Sequence, residues 1–429
     1  MAAQLTLETL VSLCKRRGFV YPSSEIYGGL NGVYDIGPLG ALLKNNIRAA
    51  WMKSLRELNH DILFMEGALL GPYQMWNASG HVSNFSDPLI DCTACKHRYR
   101  ADDIDTNKGC PHCGAKAWTD VRQFNMMFQT NLGAAADQAS IAFLRPETAQ
   151  SIFVNFKNVF SSSRVKIPFG IAQIGKAFRN EITPKQFLFR MREFEQMELE
   201  WFCTAESALE FFEFWLAQRR SFYEKIGIKA DALRIRKHEK EELSHYSQAT
   251  SDFEFQFPFG WKELEGVAYR GDFDLSQHSK FSGKDLSVYD EATKTSFMPH
   301  VVECSVGTDR LFLALLCNAY DEDVAEGEQR VVLRFAPEIA PVKAAFMPLS
   351  KAQAEPMEKI FTEFKRKGHS VQFDLSGSIG RRYRRQDEIG TPYCFTYDFQ
   401  TPEDSCVTVR HRDSMKQERI PLGSIEQYL

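Results

Sequence analysis

The 429-residue chain is longer than one simple core fills, so two or three domains are expected, and its 44% hydrophobic and 25% charged residues are those of a globular protein. A net charge of −4 excludes a protein that coats a polyanion, and no apolar run is long enough to cross a bilayer. The basic residues Lys15, Arg16 and Arg17 follow the first apolar ones, so the N-terminus does not read as a secretory signal; ten cysteines without one point to a reducing, cytoplasmic setting and to metal or buried thiols, not disulfides.

In chain order, residues 5–17 read as an amphipathic helix with Leu5, Leu10, Leu13 and Cys14 on one face. The glycine-rich stretch 28–40 is not a phosphate loop, because no GK[ST] follows it. Pro38 suits the first turn of a helix whose stripe is Leu39, Leu42, Leu43, Ile47, Ala50 and Leu58. A strand over 62–70 ends at Pro72 and leads into GPYQMWNASGH, whose role does not follow from spacing. Cys92 and Cys95 form one CxxC and Cys110 and Cys113 another, with fourteen residues between the pairs. Two such knuckles supply a tetrahedral sulfur set for a zinc ion with no open position, hence a structural one; the bland alternative is buried or redox-active thiols. His97 and His112 flank the knuckles as solvated residues.

Residues 148–156 read as a helix, with Glu147 near its start. From 175 to 202 the pattern is a hairpin turning at Thr183 and Pro184. On a strand over 190–200, Arg190, Arg192, Phe194, Gln196 and Glu198 share one face, and Met191, Glu193, Glu195, Met197 and Leu199 share the other. The first face runs from guanidiniums through a ring to a carboxylate, the order wanted by a triphosphate, a base and an amine; an ordinary hairpin with exposed ion pairs is the alternative. A helix follows with Leu209, Phe212, Leu216 and Phe222 on one side, then a charged surface helix over 237–247. Phe253, Phe255 and Phe257 alternate as in a half-buried strand. Val301 and Val302 begin a strand that gives way to a helix after Gly307, which puts Arg310 in the first turn, where a cation opposes the helix dipole unless an anion is bound. The acidic loop DEDVAEGEQR marks a boundary. Beyond it, helices over 351–367 and 380–389 alternate with strands, and residues 329–429 carry 16 basic against 13 acidic side chains, a mildly basic α/β domain with an open mixed sheet.

Phe178, Arg179, Asn180 and Glu181, followed by Arg190 and Phe194, resemble motif 2 of the class II aminoacyl-tRNA synthetases, and the fuller strings FRNEITP and REFEQMELE are similar to the homodimeric glycyl-tRNA synthetases. The resemblance implies that Arg179 holds the α-phosphate of ATP and Arg190 the γ-phosphate. Phe194 would stack on adenine with Glu181 near its amino group, and Asn180, Phe189, Met191, Arg192 and Glu193 would lie around the nucleotide. The helix from Pro38, the strand after it and Pro72 resemble motif 1, on which such enzymes dimerise. RYRADD resembles a stretch whose arginine, here Arg100, reaches the substrate, and RPETAQ one whose glutamate, here Glu147, binds the amino group of glycine; Ser151 stands where glycine is usual. WKELEGVAYRGDFDLSQH marks Glu263 and Leu264 for the nucleotide and Arg270 for the substrate, although Glu265, Tyr269 and Gly271 depart from the usual residues. MPHVVECSVGTDRLF resembles motif 3: Arg310 would contact the γ-phosphate beside Gly307, Thr308 and Asp309, Glu303 would bind magnesium or the amino group, and Ser305 would border the α-carbon. Cys304 replaces the more frequent proline and Val306 a leucine. Both count with the substrate set, as do Glu195, Gln196, Met197, Glu198 and Gly307.

The expected fold is therefore α/β (α+β), a class II antiparallel-sheet catalytic domain over 1–328 with a zinc-knuckle insertion at 86–143 and a helical connector at 204–250. A mixed α/β anticodon-binding domain follows over 329–429, whose Arg381, Arg382, Arg384 and Arg385 either meet RNA or form a solvated helix face. The expected reaction is ATP-dependent attachment of glycine to its tRNA through a glycyl-adenylate, with Arg179, Arg190 and Arg310 catalytic, Mg2+ accompanying ATP, structural Zn2+, a second copy as partner and no membrane. Two alternatives stand beside it: an inactive synthetase-like subunit that binds RNA or a polymerase, and a synthetase for another amino acid.

Overall fold

The computed structural model describes residues 5–133, 140–243, 247–291, 293–325 and 327–429. Residues 134–139 of the expected insertion, 244–246 of the expected charged helix and 326 of the acidic loop lie outside the described residues. Between residues 169 and 307 alternation dominates the sequence, and there the chain builds most of a seven-stranded sheet. In spatial order its strands are Leu233–Lys237, Ala249–Phe257, Gly260–Gly271, His300–Gly307, Glu193–Cys203, Phe169–Phe178 and Ile62–Phe64. All neighbours run antiparallel except the last, which lies parallel to Phe169–Phe178.

The expected hairpin pairs Phe169 with Phe202 and Phe178 with Glu193. Its second strand starts at Glu193, not Arg190, because Gln186 and Phe187 sit at φ 64° and 56° and open a single 3-10 turn over Phe187–Phe189. Left-handed backbone ends the extended ladder, and Arg190 follows that turn.

One face of the sheet is apolar because alternation sends Met197, Leu199, Trp201, Cys304 and Val306 the same way. Against it pack the helices Pro38–Arg56, Ala208–Lys225 and Thr308–Ala319. Pro38 fills the first turn of its helix, where a missing N–H costs nothing. Leu39, Leu43, Ile47, Trp51 and Leu55 repeat every fourth residue and are buried, each contributing about 1.5–3 kcal/mol, whereas Leu42 stays 38% exposed. In the second helix Phe212, Leu216 and Phe222 are buried as expected, and Leu209 is 60% exposed. The opposite face is covered at one end by Ala149–Ser163 and Phe273–Ser282, with Phe153, Phe156, Phe169, Phe202 and Leu275 between them.

Three local expectations change. The strand over 62–70 is two strands, Ile62–Phe64 in the main sheet and Leu70–Pro72 paired with Ile141–Leu144 in another. The charged helix over 237–247 is instead the end of strand Leu233–Lys237 and a 3-10 turn, Lys240–Glu242, so the 204–250 stretch supplies an edge strand as well as a helix. The acidic loop is a two-stranded ribbon, Tyr320–Ala325 against Glu328–Leu333, held by ion pairs such as Arg334 with Asp321 at 2.8 Å.

The C-terminal part is a five-stranded mixed sheet in the order Val371–Phe373, Ala344–Pro348, Tyr393–Tyr397, Cys406–His411 and Gln417–Pro421. Phe346, Met357, Phe364, Phe395 and Val409 fill its core under helix Ala354–Arg366. On helix Ile379–Ile389, Arg382 is buried and donates to the carbonyls of Pro348 (2.6 Å) and Asp374 (3.2 Å), and Arg385 grips Asp374 at 2.8 Å. Those two arginines are spent inside the domain, which corrects a reading of all four as one solvated or RNA-facing surface; Arg381 remains exposed.

Candidate active site

The uncovered part of the second sheet face is a cavity of about 270 Å³. Strand alternation decides what enters it. Phe194, Gln196 and Glu198 project from one strand, Glu303, Ser305 and Gly307 from the next, and Gly266 from the third. The register sets Glu198 opposite Ser305, and Ser305 opposite Gly266. Between Tyr269 and Gly271 a bulge leaves Arg270 as the extra residue, and its side chain enters the same space.

At one end lie the guanidiniums. That of Arg179 sits between the rings of Phe85 (5.4 Å) and Phe194 (5.3 Å) while its Nε donates to the carbonyl of Pro146 at 3.0 Å. Arg310 reaches from the first turn of its helix, stacks on Phe189 at 4.5 Å and meets Glu263 at 3.1 Å. Arg190 stands 4.0 Å from Glu181, and its buried Nη1, like the Glu181 Oε2, has no hydrogen-bond partner among the described residues. Orphaned buried donors are costly, and a phosphate satisfies them.

At the other end lie carboxylates around one cation. Arg270 donates to both oxygens of Asp274 (2.8 and 2.9 Å) and to Glu303 at 3.0 Å. Glu198 accepts from Ser305 Oγ at 2.7 Å, Gln196 at 2.8 Å and Thr148. Burial pushes the Glu303 carboxyl up to about 7 although Arg270 opposes the shift, and the charges of Glu198 and Glu147 add to it. Glu198 is raised by burial and by Glu147. For Glu147 burial acts upward too, but the charge and hydrogen bond of His81, with Arg270 and Gln150, outweigh it and leave it below the usual carboxylate range. Burial and mutual repulsion hold Glu198 and Glu303 toward the protonated form, and a cation placed beside them would relieve that repulsion.

Other expected residues send their side chains elsewhere, although Glu195 and Asp309 still border the main cavity. Met197, Leu264, Cys304 and Val306 point into the core, out of phase with their neighbours, and Thr308 is fully buried. The carboxylate of Glu195 turns to the helix side, where Arg48 holds it (2.9 Å) beside Lys44 (3.7 Å), and Lys44 also binds Asp309 at 2.6 Å. The Asp309 carboxylate accepts the Glu195 N–H at 2.7 Å, pinning the start of the Arg310 helix to the strand. Arg192 is drawn away by the carbonyls of Asn31 (2.8 Å) and Glu181 (3.0 Å) and, with Asn180, lines a separate cavity of about 370 Å³. Glu193 pairs with Lys176 at 2.8 Å, and Arg100 with Asp87 at 3.1 Å, both outside the main cavity.

The structure adds residues that the sequence reading passed over. Glu200 is fully buried opposite Glu303, and neither of its oxygens has a hydrogen-bond partner among the described residues; burial, then the nearby Glu303, holds it well above the usual range. Its place two positions past Glu198 was the available signal. Asp274 lies four residues after Arg270, on the first turn of a helix. Arg145, buried, fixes the loop before Glu147 by donating to the carbonyls of Lys176 (2.6 Å) and Gly67 (2.9 Å), a role no local pattern reveals.

Beside the hairpin, Ser86–Asp91 pairs with Arg98–Arg100 and Arg122–Asn125 and carries the two knuckles. In each, a residue at positive φ (Lys96, 62°; Gly114, 75°) returns its N–H to the carbonyl of the first cysteine at 2.8 Å. The Sγ atoms of Cys92, Cys95, Cys110 and Cys113 lie within 4.8 Å of one another, with Cys92 to Cys113 at 3.6 Å and Cys95 to Cys110 at 3.7 Å. Sulfurs bound tetrahedrally to zinc at about 2.3 Å lie about 3.8 Å apart, so this group fits the ion. His97 and His112 are exposed and stack on each other with centroids 3.7 Å apart.

Residues 135–319 match the tRNA synthetase class II core domain (G, H, P, S and T), and residues 343–429 match the anticodon binding domain. The chain is 51% identical to a glycine--tRNA ligase of Lysinibacillus sphaericus (strain C3-41), covering 100% of this chain and 98% of that one. It is 52% identical to that of Acetivibrio thermocellus (strain ATCC 27405), again covering 100% and 98%. Its fold is also that of prolyl-tRNA synthetase from Cryptosporidium parvum complexed with L-proline and AMP, with a TM-score of 0.68 over 99% of this chain and 75% of that one at 16% identity. With the two family domains in order and relatives matched from end to end at half identity, the chain belongs to the glycine--tRNA ligases, class II aminoacyl-tRNA synthetases.

Proposed function

We propose that the cavity is where glycine is activated and that its two ends divide the work. The carrying observation is that Arg179, Arg190 and Arg310 share one cavity with Glu147, Glu198 and Glu303. Magnesium-bound ATP enters as substrate with its triphosphate on the three guanidiniums and its adenine on Phe194, near Glu181. The glycine ammonium lies among Glu147, Glu198 and Glu303, with Ser305 at its α-carbon and Arg270 setting the charge balance. A glycine carboxylate oxygen then attacks the α-phosphorus. The bond from α-phosphorus to the bridging oxygen breaks, pyrophosphate leaves with its electrons, and Arg179 offsets the charge that develops. In the second step a hydroxyl of the terminal ribose of tRNA attacks the glycyl carbonyl and AMP departs. Side chains larger than hydrogen are refused by collision with the strand surface at Ser305 and Gly266, since added apolar area would otherwise favour binding.

Glycine-dependent exchange of pyrophosphate into ATP tests this reading. Exchange with glycine alone is expected; silence with every amino acid would support an inactive binding subunit, and exchange with proline or threonine a different specificity. The four cysteines would hold one zinc ion that closes the insertion beside the hairpin. A second copy of the chain would pair across the motif 1 elements. Purified chain is expected to contain stoichiometric zinc, to melt at lower temperature after chelation and to scatter light as two copies. Metal-free protein with unchanged melting, or the mass of one copy, removes the respective claim. The proposed compartment is the cytoplasm, supported by the thiol set and by the absence, among the described residues, of a helix long and apolar enough to cross a membrane.

A further inference from the structure

Residues 73–85 form two short helices, Tyr73–Ala78 and His81–Asn84, outside the main sheet, and none of them lines the cavity. Gly80, at φ 83°, turns the chain between them and delivers His81 to the far side of Glu147. The ring is confined on all sides. Trp76 and Phe85 flank it with centroids at 5.3 and 5.4 Å, Ser79 Oγ lies 2.8 Å from Nδ1, and Asn125 donates to its backbone carbonyl at 3.2 Å. Only Nε2 is left to face outward, and it lies 3.2 Å from Glu147 Oε2. The other oxygen, Oε1, accepts from Gln150 Nε2 at 3.0 Å. Gln150 is itself fixed by Asp274 (3.0 Å) and His278 (2.8 Å). Glu147 is thus held by two donors from two different elements. A carboxylate accepts about four hydrogen bonds, so lone pairs on both oxygens stay available to the cavity.

We propose that His81 is a positioning residue for the amino acid: its wedged ring fixes the rotamer of Glu147, so that the carboxylate meets the glycine ammonium without reorganising. This rests on the reading of Glu147 as an ammonium ligand. The sequence WNASGH then has a physical role, with Trp76 and Ser79 holding the ring, Gly80 making the turn and His81 making the contact. The link from His81 to the nucleotide end runs through the Phe85 ring, which also packs on Arg179, so the ATP KM is measured beside the glycine KM to separate the two.

Exchange kinetics on the full chain are compared for wild type, His81→Ala, His81→Gln, Glu147→Gln and the double variant His81→Ala/Glu147→Gln. His81→Ala is expected to raise the glycine KM by about 10- to 100-fold, the range of a lost hydrogen bond to a charged group, with kcat within about threefold and the ATP KM unchanged. His81→Gln, whose amide also offers an N–H at that reach, recovers part of the loss. The double variant is no worse than Glu147→Gln alone, because the ring acts through that carboxylate. Should His81→Ala not fold, Ser79→Ala frees Nδ1, together with the Trp76 carbonyl to which Ser79 Oγ donates at 3.2 Å, and is expected to raise the glycine KM by a smaller factor. An unchanged glycine KM in the folded variant, or an equal further rise on the Glu147→Gln background, overturns the proposal. A wild-type glycine KM in Glu147→Gln overturns the reading of Glu147 itself, and the proposal with it.

Discussion

Arg179→Ala is expected to lower glycine-dependent pyrophosphate exchange by about 10³-fold or more while the chain still folds and pairs as wild type. Among the described residues the guanidinium makes one bond, to the carbonyl of Pro146, and otherwise lies between two rings, so little of the fold depends on its charge. Under the proposed function its value arises as negative charge builds at the α-phosphorus, where a preplaced cation in a low-dielectric cavity is worth more than in bulk solvent. Exchange rates at saturating ATP, with light scattering as control, check both halves. An active variant would mean that the α-phosphate lies elsewhere.

Arg270→Met is expected to do the reverse, damaging fold and function together. Met fills the same space but leaves Asp274 and Glu303 buried without their partner, and breaking such a pair costs about 3–5 kcal/mol. The deficit has a predictable pH dependence. Burial already places Glu303 at about 7, with Arg270 opposing the shift, so loss of the guanidinium raises it further. A carboxyl whose folded value lies above its unfolded one adds stability at low pH and loses it as pH rises through the folded value. The variant is therefore expected to lie closer to wild type at about pH 6 than at about pH 8, where ionising Glu303 is costly. Urea denaturation at the two values checks the sign; a deficit independent of pH would show that Glu303 does not carry it. Glycine-dependent exchange should be lost at both.

What could be read in advance divides along physical lines. The hairpin, the Arg310 helix and the four cysteines were legible because period and spacing are local, and Phe194, Gln196 and Glu198 share a face in the sequence as they do in the sheet. Contiguous stretches carried over by resemblance were less faithful: strict alternation buries Cys304 and Val306 on the face opposite Glu303 and Ser305. Arg192 has the right parity and the wrong destination, since the loop at Asn31 and Gly32 captures it from far along the chain. His81, Arg145 and the bulge at Arg270 depend on contacts across the fold, which no window of sequence contains.

Strand His300–Gly307 is the last of the seven to be reached along the chain, yet it lies between Gly260–Gly271 and Glu193–Cys203. Until it inserts, the strands on either side of it have no ladder in common, and each group presents a bare edge that invites pairing with a neighbouring molecule. A nascent polypeptide leaving the ribosome therefore carries two adhesive borders from the completion of residue 271 until residue 307 has emerged. It loses them in the same event that brings Arg310 to the cavity shared with Arg179 and Arg190, so protection from aggregation and completion of that cavity arrive together.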